Sequence, residues 1–258
     1  MDDHSRAFWT RYWSEFTPSA SAETLTHVLD QIKLEYLQPL LPTRGLTLEV
    51  GCGSGRLSCS LALRGYRTVC LDFSLAALTA TQQNYSVAGA DGLFAAGDAW
   101  RLPFPQTTFD VVLSTGLLEH FPDPLPIVTE MVRTLKPGGL FYSDIVPKKF
   151  SLFRAFDSIR RLKTRRADST DPAAEEFFER SFSAAEIREL LSRAGLPHPR
   201  VFPAGVIPPY LPLLYRSPRF RRAEVHLVHR TRTFWKAMDD TRLAEWLGFY
   251  YFAWATKP

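Results

Sequence analysis

The segment Glu49-Val50-Gly51-Cys52-Gly53-Ser54-Gly55 joins a short apolar run to a helix-forming stretch. Glycines at this spacing let the backbone turn tightly and meet a ligand without a Cβ in the way. Asp72 closes the next apolar run, where its two oxygens are free to accept from a diol. Spacing argues about the ligand. A dinucleotide loop reads G-x-G-x-x-G and sets a pyrophosphate on a helix N-terminus. This chain reads G-x-G-x-G with Glu49 beside it, and a carboxylate there repels pyrophosphate while suiting an ammonium and a sulfonium. The alternative for Glu49 is that it caps a neighbouring amide.

His120, in Leu118-Glu119-His120-Phe121, follows the fourth strand-like run. Ligands of open α/β sheets bind at the carboxyl ends of strands, so His120 is the candidate general base for an acceptor hydroxyl. A structural role for His120 is the competing reading, and Glu119 reads as a solvated or hydrogen-bonded loop residue. Phe8, Trp9, Tyr12, Trp13 and Phe16 recur at helical spacing. That helix either covers the pocket, with Tyr12 and Trp13 over the substrate side, or is anchored to the core by its aromatics.

The elements that must position these residues alternate. Helical spacing runs over residues 22–41, with Leu25, Val28, Leu29, Ile32, Tyr36 and Leu37 apolar. Strands are predicted at 46–50, 66–72, 93–97, 109–114, 140–146, 201–207 and 249–255. Helices are predicted at 54–64, 74–86, 124–135 and 183–194, and largely over 217–247. Lys136-Pro137-Gly138-Gly139 stops the 124–135 helix. Ser183 and Glu186 form a capping box. Such alternation implies βαβ units and a mostly parallel sheet covered on both faces.

With the elements in place, four blocks in order carry a resemblance: LEVGCGSG (48–55), CLDFS (70–74), GDAWRLPFPQTTFDVV (97–112), and LLEHFPDP (117–124) followed by LKPGG (135–139). The chain resembles the class I methyltransferases that use S-adenosylmethionine (SAM). The resemblance implies an α/β, Rossmann-like fold with a seven-stranded sheet of order 3-2-1-4-5-7-6, strand seven antiparallel. It implies SAM as cofactor and S-adenosylhomocysteine as product. Glu49, with the loop Gly51, Cys52, Gly53 and Gly55, would hold the methionine end. Asp72 would take the ribose hydroxyls, Phe73 would pack beside the adenine, and Asp98 with the Ala99 amide would meet its edge. Ser114 to Leu117 would line the methionine moiety. One domain over 1–258 is expected, with a helical cap at 1–41, a cofactor core at 42–147, and substrate-side insertions or a lid at 148–182 and 208–247.

Composition bounds the rest. The three cysteines, Cys52, Cys59 and Cys70, form no C-x-x-C pair and have no ligand partners at metal spacing, so reduced thiols and no metal are expected. The start of the chain has no basic and apolar leader, and no apolar run reaches the ~18–20 residues of a membrane span; a cytoplasmic enzyme is expected. Residues 1–147 hold 10 Lys/Arg against 15 Asp/Glu, and residues 148–258 hold 21 against 12. The basic stretches at 160–166 and 216–232 read first as a solvated face. The alternatives are a site for an anionic or carrier-bound substrate, or contact with a membrane surface. The apolar, proline-stiffened run 201–215 reads as core or as the wall of an apolar pocket. No nucleic-acid module is recognisable, and Ser114-Thr115-Gly116-Leu117 replaces the N/D-P-P-Y/F tetrapeptide of nucleic-acid amino-methylating enzymes. The expected acceptor is a small molecule, by preference an oxygen of a phenolic, quinone-like or natural-product substrate. Carbon or nitrogen methylation, a repurposed SAM fold such as a cyclase, and a SAM sensor are the other readings.

Overall fold

A computed structural model describes residues 3–16, 25–145, 179–207 and 218–258. The expected insertion at 148–182 falls almost wholly outside these residues, as do positions 208–217 of the second.

Seven strands form one sheet: β1 (Leu46–Val50), β2 (Arg67–Asp72), β3 (Leu93–Ala96), β4 (Phe109–Thr115), β5 (Leu135–Ile145), β6 (Arg200–Ala204) and β7 (Tyr250–Thr256), in the order β3-β2-β1-β4-β5-β7-β6. β1 pairs in parallel with β2 and β4, whereas β7 runs antiparallel to both β5 and β6. This is the expected class I order.

Period-two alternation splits the core between the two faces. In β4, Val112 joins Leu48, Val50, Phe141, Ile127, Met131 and Ile187 on one face, as does Phe109 across the bulge that precedes Val111. Val111 and Leu113 join Ile32, Leu37, Leu57, Leu61, Tyr142 and Phe252 on the other. The first face is covered by α5 (Leu125–Thr134) and α6 (Ala184–Arg193), the second by α2 (Leu25–Leu37), α3 (Arg56–Ala62) and α7 (Pro218–Lys236). Two further helices, α1 (Asp3–Ser14) and α4 (Leu75–Ala88), pack on each other beside β2. A short helix, α8 (Arg242–Leu247), precedes β7.

Local chemistry fixes most boundaries. Ser74 caps α4 by accepting from the Ala77 amide, and left-handed Gly89 (φ 67°) ends it. The Ser183–Glu186 capping box of α6 is present in both directions. Three expectations are corrected. Helix α3 begins only at Arg56, because Gly55 holds φ 62°, outside helical space. Helix α5 does end ahead of Lys136-Pro137-Gly138-Gly139, but these residues form the bulged start of β5, held by Gly138 N–H donating to Lys257 O (2.8 Å) and Lys257 N–H to Gly139 O (3.0 Å). The helical stretch 217–247 is broken into α7 and α8, since Asp240 turns with φ 62° and Thr241 caps a new helix.

Candidate cofactor and acceptor site

The loop after β1, the ends of β2 and β4, and the turn after β3 open on one cleft of about 220 Å³, smaller than the ~300–1,000 Å³ usual for ligand clefts. Helix α1 closes one side of it with Trp9, Tyr12 and Trp13. Among the residues singled out from sequence, Tyr12, Trp13, Gly51, Cys52, Gly53, Asp72, Phe73, Asp98, Ala99, Leu117 and His120 all line this cleft.

Close packing requires glycine at two of these positions. Gly51 (φ 66°) and Gly53 (φ 54°) are left-handed; a Cβ on Gly51 would lie 2.5 Å from Leu117 Cδ1, and one on Gly53 would lie 2.4 Å from Trp13 Cζ2. The loop, the turn after β4 and the α1 roof therefore meet with no spare methyl-sized gap.

Asp72 is buried at the tip of β2. Its Oδ2 accepts from the Gly53 amide (2.9 Å) and its Oδ1 from the Ser74 amide (2.9 Å). Burial raises its carboxyl above the ordinary aspartate value, and these amides oppose the rise. The loop and the carboxylate thus form one rigid unit, with both oxygens fixed in direction and each keeping a lone pair.

At the other end, Asp98 Oδ1 accepts from the Trp100 amide (3.1 Å), and Oδ2 pairs with the Arg6 guanidinium of α1. The same guanidinium lies 5.0 Å from the Phe73 ring centroid. Helix α1 therefore both roofs the cleft and pins Asp98 and Phe73. Phe8 is buried, while Trp9, Tyr12 and Trp13 turn to the cleft.

Three expected residues do not line the cleft. Glu49 lies beneath the loop, buried, where Oε2 accepts from the Ser58 amide (3.1 Å) and Oε1 from Thr115 Oγ1 (3.2 Å). It caps the uncapped first turn of α3, as the alternative reading had it, and touches the cleft wall through Thr115. Burial pushes its carboxyl up to about 7, against the opposing bonds from Ser58 and Thr115 and the charge of Lys33. Gly55 packs on Thr81 (2.4 Å from a built Cβ). Ser114 is buried on Ser143 Oγ (3.0 Å), and the strand alternation brings Thr115 to the cleft in its place.

His120 lines the cleft next to Trp9, whose ring centroid lies 4.8 Å away at 62°. Of the two readings of Glu119 the solvated one fails: it is buried, its Oε2 has no hydrogen-bond partner among the described residues, and burial pushes its carboxyl up to about 8.

Lys33 and Arg56 also line the cleft and were missed. Lys33 Nζ stands 3.1 Å from Asp144 Oδ1, with both side chains buried, and 4.7 Å from the Tyr250 ring centroid. Burial alone would lower its pKa; the Asp144 charge and its neighbours outweigh that and raise it, so Lys33 stays charged. A signal existed: Lys33 sits four residues from both Leu29 and Leu37 on the apolar stripe of α2, where a solvated lysine has no place. Arg56 is tied to Asp30 (2.6 Å) and Ser54 (2.6 Å).

The three cysteines are free and buried, and no group of His, Cys, Asp or Glu suited to a metal exists among the described residues. No helix among them is long and apolar enough to cross a membrane.

Residues 48–143 match the methyltransferase-domain family. A ubiquinone biosynthesis O-methyltransferase from Xanthomonas oryzae is 33% identical over 164 residues, covering 58% of this chain and 63% of that protein. The chain thus spans less than two thirds of the length of the curated relatives it matches. A SAM-dependent methyltransferase structure from Methanosarcina mazei aligns with TM-score 0.56 at 21% identity, covering 86% of this chain and 96% of that one. The [4+2]-cyclase SpnF aligns with TM-score 0.57 at 17% identity, over 94% and 84%.

Proposed function

Proceeding from a methyltransferase domain at residues 48–143 on a class I sheet, we propose that this chain transfers a methyl group from SAM to a small-molecule acceptor, at an oxygen of a phenolic or quinone-like ring. The observation that carries the reading is Asp72, held by the Gly53 and Ser74 amides at the edge of the cleft with both oxygens aimed by backbone. Such a carboxylate recognises a vicinal diol and repels a phosphate.

The remaining donors fit the rest of that cofactor. Phe73, Asp98 and Ala99 offer a ring face, an acceptor and a backbone amide for the adenine. The loop backbone at Gly51 to Gly53, with the Glu49 charge behind Thr115, suits the ammonium. Lys33 and Arg56 are the cations of the cleft for the carboxylate. The cofactor supplies an activated methyl on a positive sulfur. The protein's task is then to aim the acceptor, exclude water and remove a proton. Thr115, Gly116 and Leu117 form the wall at the end of β4, and His120 stands next to them as the base that accepts the acceptor's hydroxyl proton. Trp9, packed edge-on against His120, orients the imidazole.

Oxygen as the target, and a quinone-like ring, are supported by the activity for which those relatives are named. The cyclase neighbour makes the alternative concrete, since that fold also serves a non-methylating reaction. Incubation with methyl-labelled SAM and a panel of catechol, phenol and quinol acceptors decides between them. The proposal expects label on an acceptor oxygen with one S-adenosylhomocysteine formed per methyl. Tight SAM binding with no S-adenosylhomocysteine formed with any acceptor, oxygen, nitrogen or carbon, would overturn it.

A further inference from the structure

Helix α7 has two apolar faces, and only one is used. Val228 is buried against the second core face, and Arg232 pairs with Glu35 and Asp239, both at 2.9 Å. These residues hold the helix to the body. On the outer side, Phe220 (53% exposed), Leu227 (50%) and Phe234 (60%) recur every seven residues. A seven-residue step drifts only ~20° around an α-helix, so the three side chains form one stripe about 21 Å long.

Alongside that stripe, on the same exposed half of the helix, lie Arg219 and Arg230, with Arg222 and His226 further round. The helix carries a single acidic residue, Glu224, which sits half-buried on the other flank of the stripe. The result is an apolar strip with arginines along one flank and the single carboxyl half-buried on the other.

We propose that α7 docks on an anionic phospholipid surface, lying flat with Phe220, Leu227 and Phe234 in the acyl boundary and the arginines among the headgroup phosphates. Charge complementarity selects this occupant. A second copy meeting this face across a two-fold axis would oppose its cationic band with the same band. An anionic bilayer accepts both halves of the pattern at once, and the excess of 21 Lys/Arg over 12 Asp/Glu in residues 148–258 has the matching sign. The inference stands apart from the cofactor reading, because it uses no residue of the cleft.

Co-sedimentation with vesicles tests it. The full chain is mixed with phosphatidylcholine vesicles, with and without phosphatidylglycerol, at low and physiological salt. Binding is expected only with phosphatidylglycerol, weakening as salt rises. Arg219→Gln and Arg230→Gln should each lower partitioning about fivefold. The triple change Phe220→Ser, Leu227→Ser, Phe234→Ser should lower it about tenfold or more. All five side chains are exposed, so thermal unfolding should stay unchanged and separates lost docking from lost fold. Absence of binding by the unaltered chain, equal binding to neutral vesicles, or unchanged binding of the triple variant would overturn the proposal. So would sedimentation equilibrium showing a dimer that the triple change dissolves while vesicle binding is absent.

Discussion

Glu49 titrates near neutrality because it is buried, and that makes cofactor affinity a readout of its charge. Its carboxyl lies at about 7, against 4.5 when free. At pH 6 roughly one Glu49 in ten is ionised, and at pH 8 roughly nine in ten. If the ligand's ammonium and sulfonium bind the ionised form and return the carboxyl to its ordinary range, apparent affinity rises about tenfold between pH 6 and 8, or about 1.4 kcal/mol. Binding at pH 6 then releases close to one proton. Glu49→Gln keeps the amide oxygen that caps Ser58 and removes the titration, so the slope should vanish. The assay is calorimetry with SAM across this range, in buffers of different ionisation enthalpy to count protons. Glu119→Gln is the control, since Glu119 is also pushed up to about 8, whereas it is Glu49 that bonds the cleft wall, through Thr115. A slope that survives in Glu49→Gln, or disappears only in Glu119→Gln, refutes the reasoning.

Other predictions bear on the same site. Asp72→Ala should weaken S-adenosylhomocysteine binding by about 2–4 kcal/mol, the loss expected for charge-assisted hydrogen bonds; unchanged affinity by calorimetry in a folded variant removes Asp72 from the diol site. Gly53→Ala should cost about 1–2 kcal/mol for its left-handed backbone and more for the collision with Trp13; adding Trp13→Ala should recover only the collision part, and a double-mutant cycle with no coupling contradicts the roof contact. His120→Ala should slow methyl transfer about 10²–10⁴-fold with S-adenosylhomocysteine affinity kept; a normal transfer rate eliminates it as the base. The native pKa values of Glu49 and Glu119 lie above those of the unfolded chain, so the folded state holds more protons. Stability is then greatest below about pH 4.5 for these two groups and falls as pH rises through 7 and 8, by about 3 kcal/mol or more for each. Urea unfolding at pH 5 and 8 should show a smaller difference in Glu49→Gln than in the unaltered chain.

Residue patterns that act locally were legible. Val111-Val112-Leu113 alternates between two cores, so β4 announced itself, and Gly51, Gly53 and Asp72 are spaced as the turn and the neighbouring strand end require. Ser183 and Glu186 cap α6 across three residues. What sequence did not carry are contacts across the fold. Arg6 and Asp98 stand 92 positions apart, and nothing in either segment names the other. Lys33 was visible only as a charge on an apolar stripe, and its partner Asp144 lies at the end of β5. Of Ser114 to Leu117 only Ser114 fails to reach the cleft, because a strand end turns consecutive side chains to opposite faces, and one residue of register decides which meets it. Lys136-Pro137-Gly138-Gly139 has the composition of a turn, yet the Lys257 backbone offers it a pairing partner and draws it into β5.

The central claim is that the glycine loop and Asp72 receive a sulfonium nucleoside without phosphates. Parallel calorimetric titrations of the unaltered chain with SAM and with NAD test it most directly. The account predicts saturable one-to-one binding of SAM, reduced by Asp72→Ala, and no heat of binding from NAD. Saturable binding of NAD at the same site, with SAM inert, would contradict it.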